Sequence, residues 1–513
     1  MTQDAPSTVN PVRPAPPRAG VLDLRLPAFW LVAGLLLMGG WRIGVMIHHA
    51  LTAYPLPALA ALVLFALYAV PFVLVVRSLD YPEQEPPLLL AIAFAWGGVV
   101  ATSQAIPANA AVRDIVAKLV SPTFADSWSP AISAPLVEET LKTLGVIAVV
   151  LLAHAHVNST VDGFVYGAFV GLGFQVVENF VYAVNAVIDA EHSGLSDWLS
   201  PVMATFVARG FLGGLWSHTM FSALAGAGIG YAVTRVKLAR WRRVGVAGLA
   251  FLGAWGFHFV WNSPLLADGF GLDVGGVLAA LLLKGLPGLV LVLVLVKEAM
   301  RHEAKYYSAL LDLVQDTSLV TRAEAEAMFN GRTRLAARRH ARSQGGFRAG
   351  YALRRLQRAQ ARFVVELSRS LDGRSAAESE HEEIPLGHTV EQDAERAGVL
   401  VKRRRELLKA RQRLRELGID QVQAPKPPRH SAVGLLTIVV GLVGVVAPVG
   451  SVLAIGIAAE RLLAARRRRT VADNWLVDGL IIGCIGLVLW LLSLAISRAG
   501  LGWAMPSWSG FGR

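Results

Sequence analysis

Eight apolar stretches, each close to the length that crosses a bilayer, lie before residue 300: roughly 27–48, 57–76, 87–106, 131–153, 161–184, 204–233, 245–266 and 276–296. A bilayer core takes about 20 apolar residues per helix, and a backbone in hydrocarbon must satisfy its own hydrogen bonds. The chain therefore reads as all-α, a polytopic transmembrane helix bundle with about eight core helices. Hydrophobic residues make up 54% of the 513 and charged residues only 17%, against roughly 25% charged in soluble domains. That balance excludes both an ordinary soluble enzyme and a disordered chain. A single cysteine, Cys484, excludes a disulfide framework and zinc held by clustered thiolates.

Composition also divides the chain. Residues 1–25 are Pro-rich and polar and read as a disordered tail. The membrane core is expected over 26–297. From 298 to 430 the sequence turns polar, Arg-rich and helix-forming, a basic helical cytoplasmic region suited to a regulatory or partner-binding role. Within it the acidic stretch 372–398 reads as a flexible break between helices. Residues 431–500 hold a C-terminal pair of membrane segments, at roughly 433–459 and 476–498, and 501–513 are a tail. The basic loop of that pair carries Arg461 and Arg466 to Arg469. It lies outside if 433–459 crosses once, and inside if the segment bends back at Pro448. Both readings stand at this stage. The sixth core stretch is long enough to begin with a bent or re-entrant turn around Gly210–Gly214.

The net charge of +12 follows from the enrichment of Lys and Arg in cytoplasmic loops. Nucleic acid is not expected as a partner, because aromatic residues are sparse in the Arg runs. Arg235, Lys237, Arg240, Arg242 and Arg243 follow the sixth stretch and put that loop in the cytoplasm. Counting back puts the N-terminus there too. The expected location is the cell's inner (plasma) membrane, crossed several times.

Ionisable residues in hydrocarbon are costly and usually mark function. Four stretches carry them. The fourth contains Glu138, Glu139 and Lys142, with Glu138 and Lys142 on one face at i,i+4. The fifth places Phe174 and Glu178 at the same spacing. The sixth contains Arg209, His218 and Ser222, and the seventh His258 and Asn262. Glu139, Glu178, His218 and His258 lie about 6 to 8 residues from the outer ends of their stretches, on the order of 9–12 Å deep at 1.5 Å per residue. Helices running in alternate directions thus bring four ionisable groups to one level. Peptide hydrolysis needs an activated water, a base and oxyanion stabilisation. Glutamate and histidine in a shielded cavity supply all three, and Glu with two His can also hold zinc.

The ordered set EExxK, FxxxE, HxxxS and HxxxN resembles the PrsW family of intramembrane proteases, related to the CAAX-prenyl-protease and bacteriocin-processing superfamily. The resemblance covers roughly residues 90–265 and implies an α-helical intramembrane endopeptidase. Its substrate would be a membrane-anchored or membrane-proximal protein or peptide in the lipid bilayer, such as an anti-sigma factor cut in regulated intramembrane proteolysis. Motif match makes Glu138, Glu139, Glu178, His218, His258 and Asn262 the site positions. On this reading Glu139 activates water, with Glu138 and Lys142 tuning it. His218 and His258, with Glu178, bind zinc. Related enzymes place His where this chain has Glu178, so a metal-free variant stays open, in which His258 and Asn262 donate to the oxyanion.

Some of these residues have plainer readings. Ser222, Gly226 and Gly230 form a small-residue row for helix packing, as do Gly163, Gly167 and Gly171. Glu178 with Asn179 suits an interhelical hydrogen bond, and Arg209 reads equally well as an interfacial anchor. A non-enzymatic membrane scaffold or transporter is the alternative function, because transporters also carry intramembrane carboxylates. The absence of an internal repeat of the EExxK or HxxxN stretches counts against it.

Overall fold

The computed structural model describes residues 21–467 apart from 82, 195, 268–272, 313, 315, 380–385, 420–421, 423–431 and 447, together with positions 476, 479–480, 483–484 and 487. The tail 501–513 and most of the expected segment 476–498 lie outside the described residues, as does nearly all of the tail 1–25. Contacts divide the chain into two units. The first runs through Tyr306 and also takes in the stretch from Leu371, and the second holds Tyr307–Ser370 and residues 385–504, so the first boundary falls a few residues beyond the expected one at 297.

In the first unit every one of the eight apolar stretches is helical. They form α1 (Pro27–Ala53), α2 (Pro55–Leu79), α3 (Pro87–Ala95) continuing through a π-helical turn Trp96–Ala101 into α4 (Thr102–Leu119), α5 (Pro122–Ala153) and α6 (Thr160–His192). The sixth stretch is broken, as its length suggested. It comprises α7 (Leu199–Thr205), a π-helical turn Phe206–Leu212, a short 3-10 turn Gly214–Trp216 and then α8 (His218–Thr234). After it come α9 (Arg240–Asn262) and α10 (Asp273–Asp312). Among the described residues six helices are long and apolar enough to cross a membrane: α1, α2, the continuous α3–α4, α6, α9 and α10 from Ala279. α5 differs in carrying Glu138, Glu139 and Lys142 within its apolar half, and α8 is only 17 residues long.

The core is organised on α6, the most buried of the six candidate spans. A capping box fixes its start. The Ser159 hydroxyl accepts from the Asp162 N–H, and the Asp162 carboxylate accepts from the Ser159 N–H. Its glycine row meets α8 at backbone contact. A Cβ at Gly163 would lie 2.3 Å from the Gly226 carbonyl oxygen, one at Gly167 2.1 Å from that of Ser222, and one at Gly171 2.2 Å from that of His218. Without a hydrophobic force between helices in lipid, such close approach is what holds them. It presses His218 and Ser222 against α6. The π turn Trp96–Ala101 packs on the opposite side of α6, where a Cβ at Gly97 would fall 1.8 Å from the Val170 carbonyl oxygen. Trp96 then crosses to α5, its indole N–H donating to the Leu141 carbonyl at 3.0 Å. The helices that carry the ionisable motifs are thus tied to one another through α6.

Among its described residues the second unit consists of helices joined by turns and short irregular segments. It contains α11 (Arg322–Met328), α12 (Gly331–Ser379), α13 (Leu386–Arg415), α14 (Ala432–Val446) and α15 (Pro448–Arg467). α12 is two helices meeting at Gly345–Gly346, where Gly346 has φ of +71°. The basic helices have their own core, including Leu353, Leu356, Val364 and Leu407. Buried Arg411 grips Glu324 through both nitrogens, at 2.9 and 2.6 Å. The expected break over 372–398 is narrower: α12 continues to Ser379 and α13 starts at Leu386. The expected span 433–459 is instead split before Pro448, and its halves α14 and α15 pack against each other. That is the hairpin reading, with proline starting the second helix because its missing N–H costs nothing there.

Candidate active site

α5, α6, α8 and α9 each bring one ionisable motif to a common centre, and all of the central side chains are buried. Glu139 and Lys142 are 0% exposed and His258 1%. Lys142 Nζ stands 2.6 Å from Glu139 Oε1, 2.9 Å from His218 Nδ1 and 3.7 Å from Glu138 Oε2. It also lies 4.5 Å above the Phe174 ring, which gives the aromatic of the fifth stretch a contact with the charge. Adjacent residues on a helix point about 100° apart, yet both carboxylates reach Lys142 and His258, Glu139 more closely in each case.

The two histidines are held alike. His218 Nε2 is 2.8 Å from Glu178 Oε2, and His258 Nδ1 is 2.9 Å from Glu139 Oε1. A carboxylate accepts only, so each of these ring nitrogens carries the proton. The other nitrogen of each ring is then a lone-pair atom. His218 Nδ1 accepts from Lys142, and His258 Nε2 accepts from Asn262 Nδ2 at 3.1 Å. Asn262 also donates to the Pro130 carbonyl at 3.0 Å.

Those two lone-pair nitrogens face Glu138 Oε2, at 3.7 Å from His218 Nδ1 and 4.0 Å from His258 Nε2. Glu138 Oε1 accepts from Asn109 Nδ2 at 3.0 Å, but Oε2 is buried with no hydrogen-bond partner. Among the described residues Glu138, His218 and His258 are the group of three that could hold a metal ion. The donor set fits zinc. Tetrahedral ligands at 2.0–2.2 Å stand about 3.4 Å apart, against 3.7 and 4.0 Å from Glu138 to the histidines and up to 4.8 Å within the group here, and each histidine is backed by a carboxylate as metal-ligating histidines usually are. An ion there would take over the His218 lone pair that Lys142 now holds.

Glu178, expected beside the histidines as a ligand, lies on the far nitrogen of His218 and pairs with Arg209 Nη2. Arg209 comes from the π turn of the broken sixth stretch. Its Nε donates to Asn179 Oδ1 at 2.8 Å, and its guanidinium stacks 3.6 Å from the Tyr182 ring centre. It is wired into the site rather than anchored at an interface. Ser222 is buried against Gly171 with no partner for its hydroxyl, in keeping with packing. Asn109 belongs to no motif. It sits 29 residues before Glu138, and its only sequence signal was a polar side chain in a largely apolar helix.

Residues 85–296 match the family model described as the PrsW family intramembrane metalloprotease. The match runs from the start of α3 through most of α10 and takes in every motif residue named above. No curated protein and no solved structure matches the chain.

Proposed function

We propose, from a core that matches the PrsW family model over residues 85–296, that this chain is a zinc-dependent intramembrane endopeptidase. The observation that carries the reading is the meeting of three buried lone-pair atoms, Glu138 Oε2, His218 Nδ1 and His258 Nε2, the two nitrogens now held by Lys142 and Asn262. On this reading Glu138 replaces Glu178 as the carboxylate ligand, and Glu178 orients His218. Zinc held there would supply Lewis-acid activation of the water and the scissile carbonyl.

The chain's own residues do the rest. Glu139 is clamped through Oε1 by Lys142 and His258, while its Oε2 is buried and unpaired. That free oxygen takes the proton of the attacking water. Lys142 and Asn262 are the side-chain donors closest to the centre, and they stabilise the oxyanion. Arg209 holds Glu178 in place against His218. The substrate is a membrane-anchored protein presented in the bilayer, with an anti-sigma factor as the expected class. The N-terminus lies in the cytoplasm, as the basic α8–α9 connection requires, and the membrane is the inner (plasma) membrane.

Metal analysis of the purified chain in detergent, beside a His218→Ala/His258→Ala variant, tests the reading. About one zinc per chain, lost in the variant, is expected. A wild-type chain that takes up no metal from added zinc, yet cleaves in the presence of a chelator, would overturn the metal assignment and leave a glutamate-driven peptidase.

A further inference from the structure

Two asparagines at the rim of the centre are each satisfied on one side only, and in opposite senses. Asn109, on α4, donates through Nδ2 to Glu138 Oε1 at 3.0 Å. Its orientation is fixed, because a carboxylate can only accept. The buried Oδ1 is left with no partner. Asn179, on α6 and 1% exposed, accepts through Oδ1 from Arg209 Nε at 2.8 Å. A guanidinium can only donate, so this orientation is fixed as well, and the buried Nδ2 is the orphan. One unpaired acceptor and one unpaired donor therefore stand beside the candidate centre, Asn109 through Glu138 and Asn179 through the arginine that holds Glu178.

Buried polar groups are nearly always satisfied, and exceptions ask for an explanation. Neither orphan can be relieved by flipping the amide, since that would set oxygen against carboxylate or NH2 against guanidinium. A ligand that carries both donors and acceptors would satisfy them. A peptide main chain does so at every residue, and once unwound from a helix it turns those groups outward to the sides. Scission inside a membrane requires that unwinding, because a helical substrate has its amides bonded to itself.

We propose that Asn109 and Asn179 bind the main chain of the substrate's unwound segment, with Asn109 Oδ1 accepting a peptide N–H and Asn179 Nδ2 donating to a peptide C=O. The inference rests on the protease reading and adds to it the form in which substrate is held. Recognition through main-chain groups is indifferent to side chains, so the chain selects segments that unwind rather than a residue motif.

The test uses the full-length chain in detergent and a synthetic single-span peptide with an Ala/Gly/Val segment at the scission region. A set of its analogues replaces one amide at a time by an ester, which removes one N–H. Binding is read by fluorescence anisotropy and cleavage by mass spectrometry. One ester position is expected to weaken wild-type binding about five- to tenfold. The same ester should cost nothing in Asn109→Ala, which itself binds the all-amide peptide about that much less tightly when both proteins are measured with zinc in excess. Asn179→Ala should likewise weaken binding of the all-amide peptide about five- to tenfold, read by the same anisotropy. No penalty at any ester position in the wild type would overturn the proposal without any variant. An ester penalty that persists in Asn109→Ala would overturn it too, and would assign the orphans to buried water. Wild-type chain that binds the peptides with this pattern but cuts none of them would sink the protease reading and leave the binding mode standing.

Discussion

The first unit buries two groups of carboxylates, and they are relieved of their charge in different ways. At the centre, Glu138, Glu139 and Glu178 meet Lys142, Arg209 and two histidines at salt-bridge distance. The other group gathers at the α2–α3 and α5–α6 connections: Asp80, Glu83, Glu85 and Asp162, with Glu303 of α10 within electrostatic reach. Asp80, Glu85, Asp162 and Glu303 are buried, and among the described residues none of these four has a Lys or Arg at salt-bridge distance. Hydrogen bonds serve instead. Asp80 accepts from the Glu85 N–H at 2.9 Å, Asp162 from Asn158 and Ser159, and Glu85 from the Tyr166 hydroxyl. Burial pushes the Asp80 carboxyl up to about 7, with the negative charge of Asp162 and Glu83 adding to it. Burial likewise lifts Glu85 well above the carboxylate range. Side-chain cations thus stand against the carboxylates of the centre, whereas Asp80 and Glu85 of the second group are held by hydrogen bonds and shifted toward their protonated forms.

The largest break in that comparison comes at the centre. Glu139→Gln keeps the shape but removes the base, and cleavage is expected to fall by a factor of about 10²–10⁴, read as loss of product from a membrane-anchored substrate while zinc content holds. Arg209→Met should cost about 3–5 kcal/mol of stability, because it strands Glu178 without its cation. Chemical or thermal unfolding in detergent would show this, and Arg209→Lys should recover part of it. A loss of under about 1 kcal/mol would mean that the pair is solvated and that the two carboxylate groups differ less than the geometry implies.

The second group should respond to pH rather than to loss of a partner. Folded Asp80 holds its proton up to about pH 7, whereas an unfolded aspartate releases it near 3.9. Between about pH 4 and 7 the folded chain binds the extra proton, so its contribution to stability declines as pH rises. Unfolding midpoints should therefore fall across that window, and Asp80→Asn should flatten the slope. A slope unchanged by Asp80→Asn would place the proton elsewhere. The smallest effect is Tyr166→Phe, which removes the donor to Glu85 at a cost of about 1–3 kcal/mol. It should leave zinc content and cleavage intact, since the hydroxyl it removes bonds Glu85 and not the centre.

Much of this was legible in the residues. The eight stretches became helices, the Gly163–Gly167–Gly171 and Ser222–Gly226–Gly230 rows became one helix contact, and the sixth stretch broke where its glycines cluster. Glu138, Glu139, Lys142, Glu178, His218, His258 and Asn262 all reached one centre. Which atom faces which was not legible. A depth count places Glu138 and Glu178 at similar levels and says nothing about which lies on the inner side of His218. Asn109 and the second carboxylate group were missed for a related reason. They combine single polar residues from α4, α6, α10 and two connections, and no fixed spacing in the chain announces them.

Hydrocarbon solvation acts on each residue where it stands. Runs of apolar residues and the rare charges within them therefore determined, by themselves, a helical membrane bundle and the side chains it would bring inside. Ligation and proton sharing depend on distances of 3–4 Å and on the direction of lone pairs. Those are set when α5, α6, α8 and α9 close on one another, so only the tertiary structure decided that Glu138 faces the two free nitrogens and that Glu178 stands behind His218.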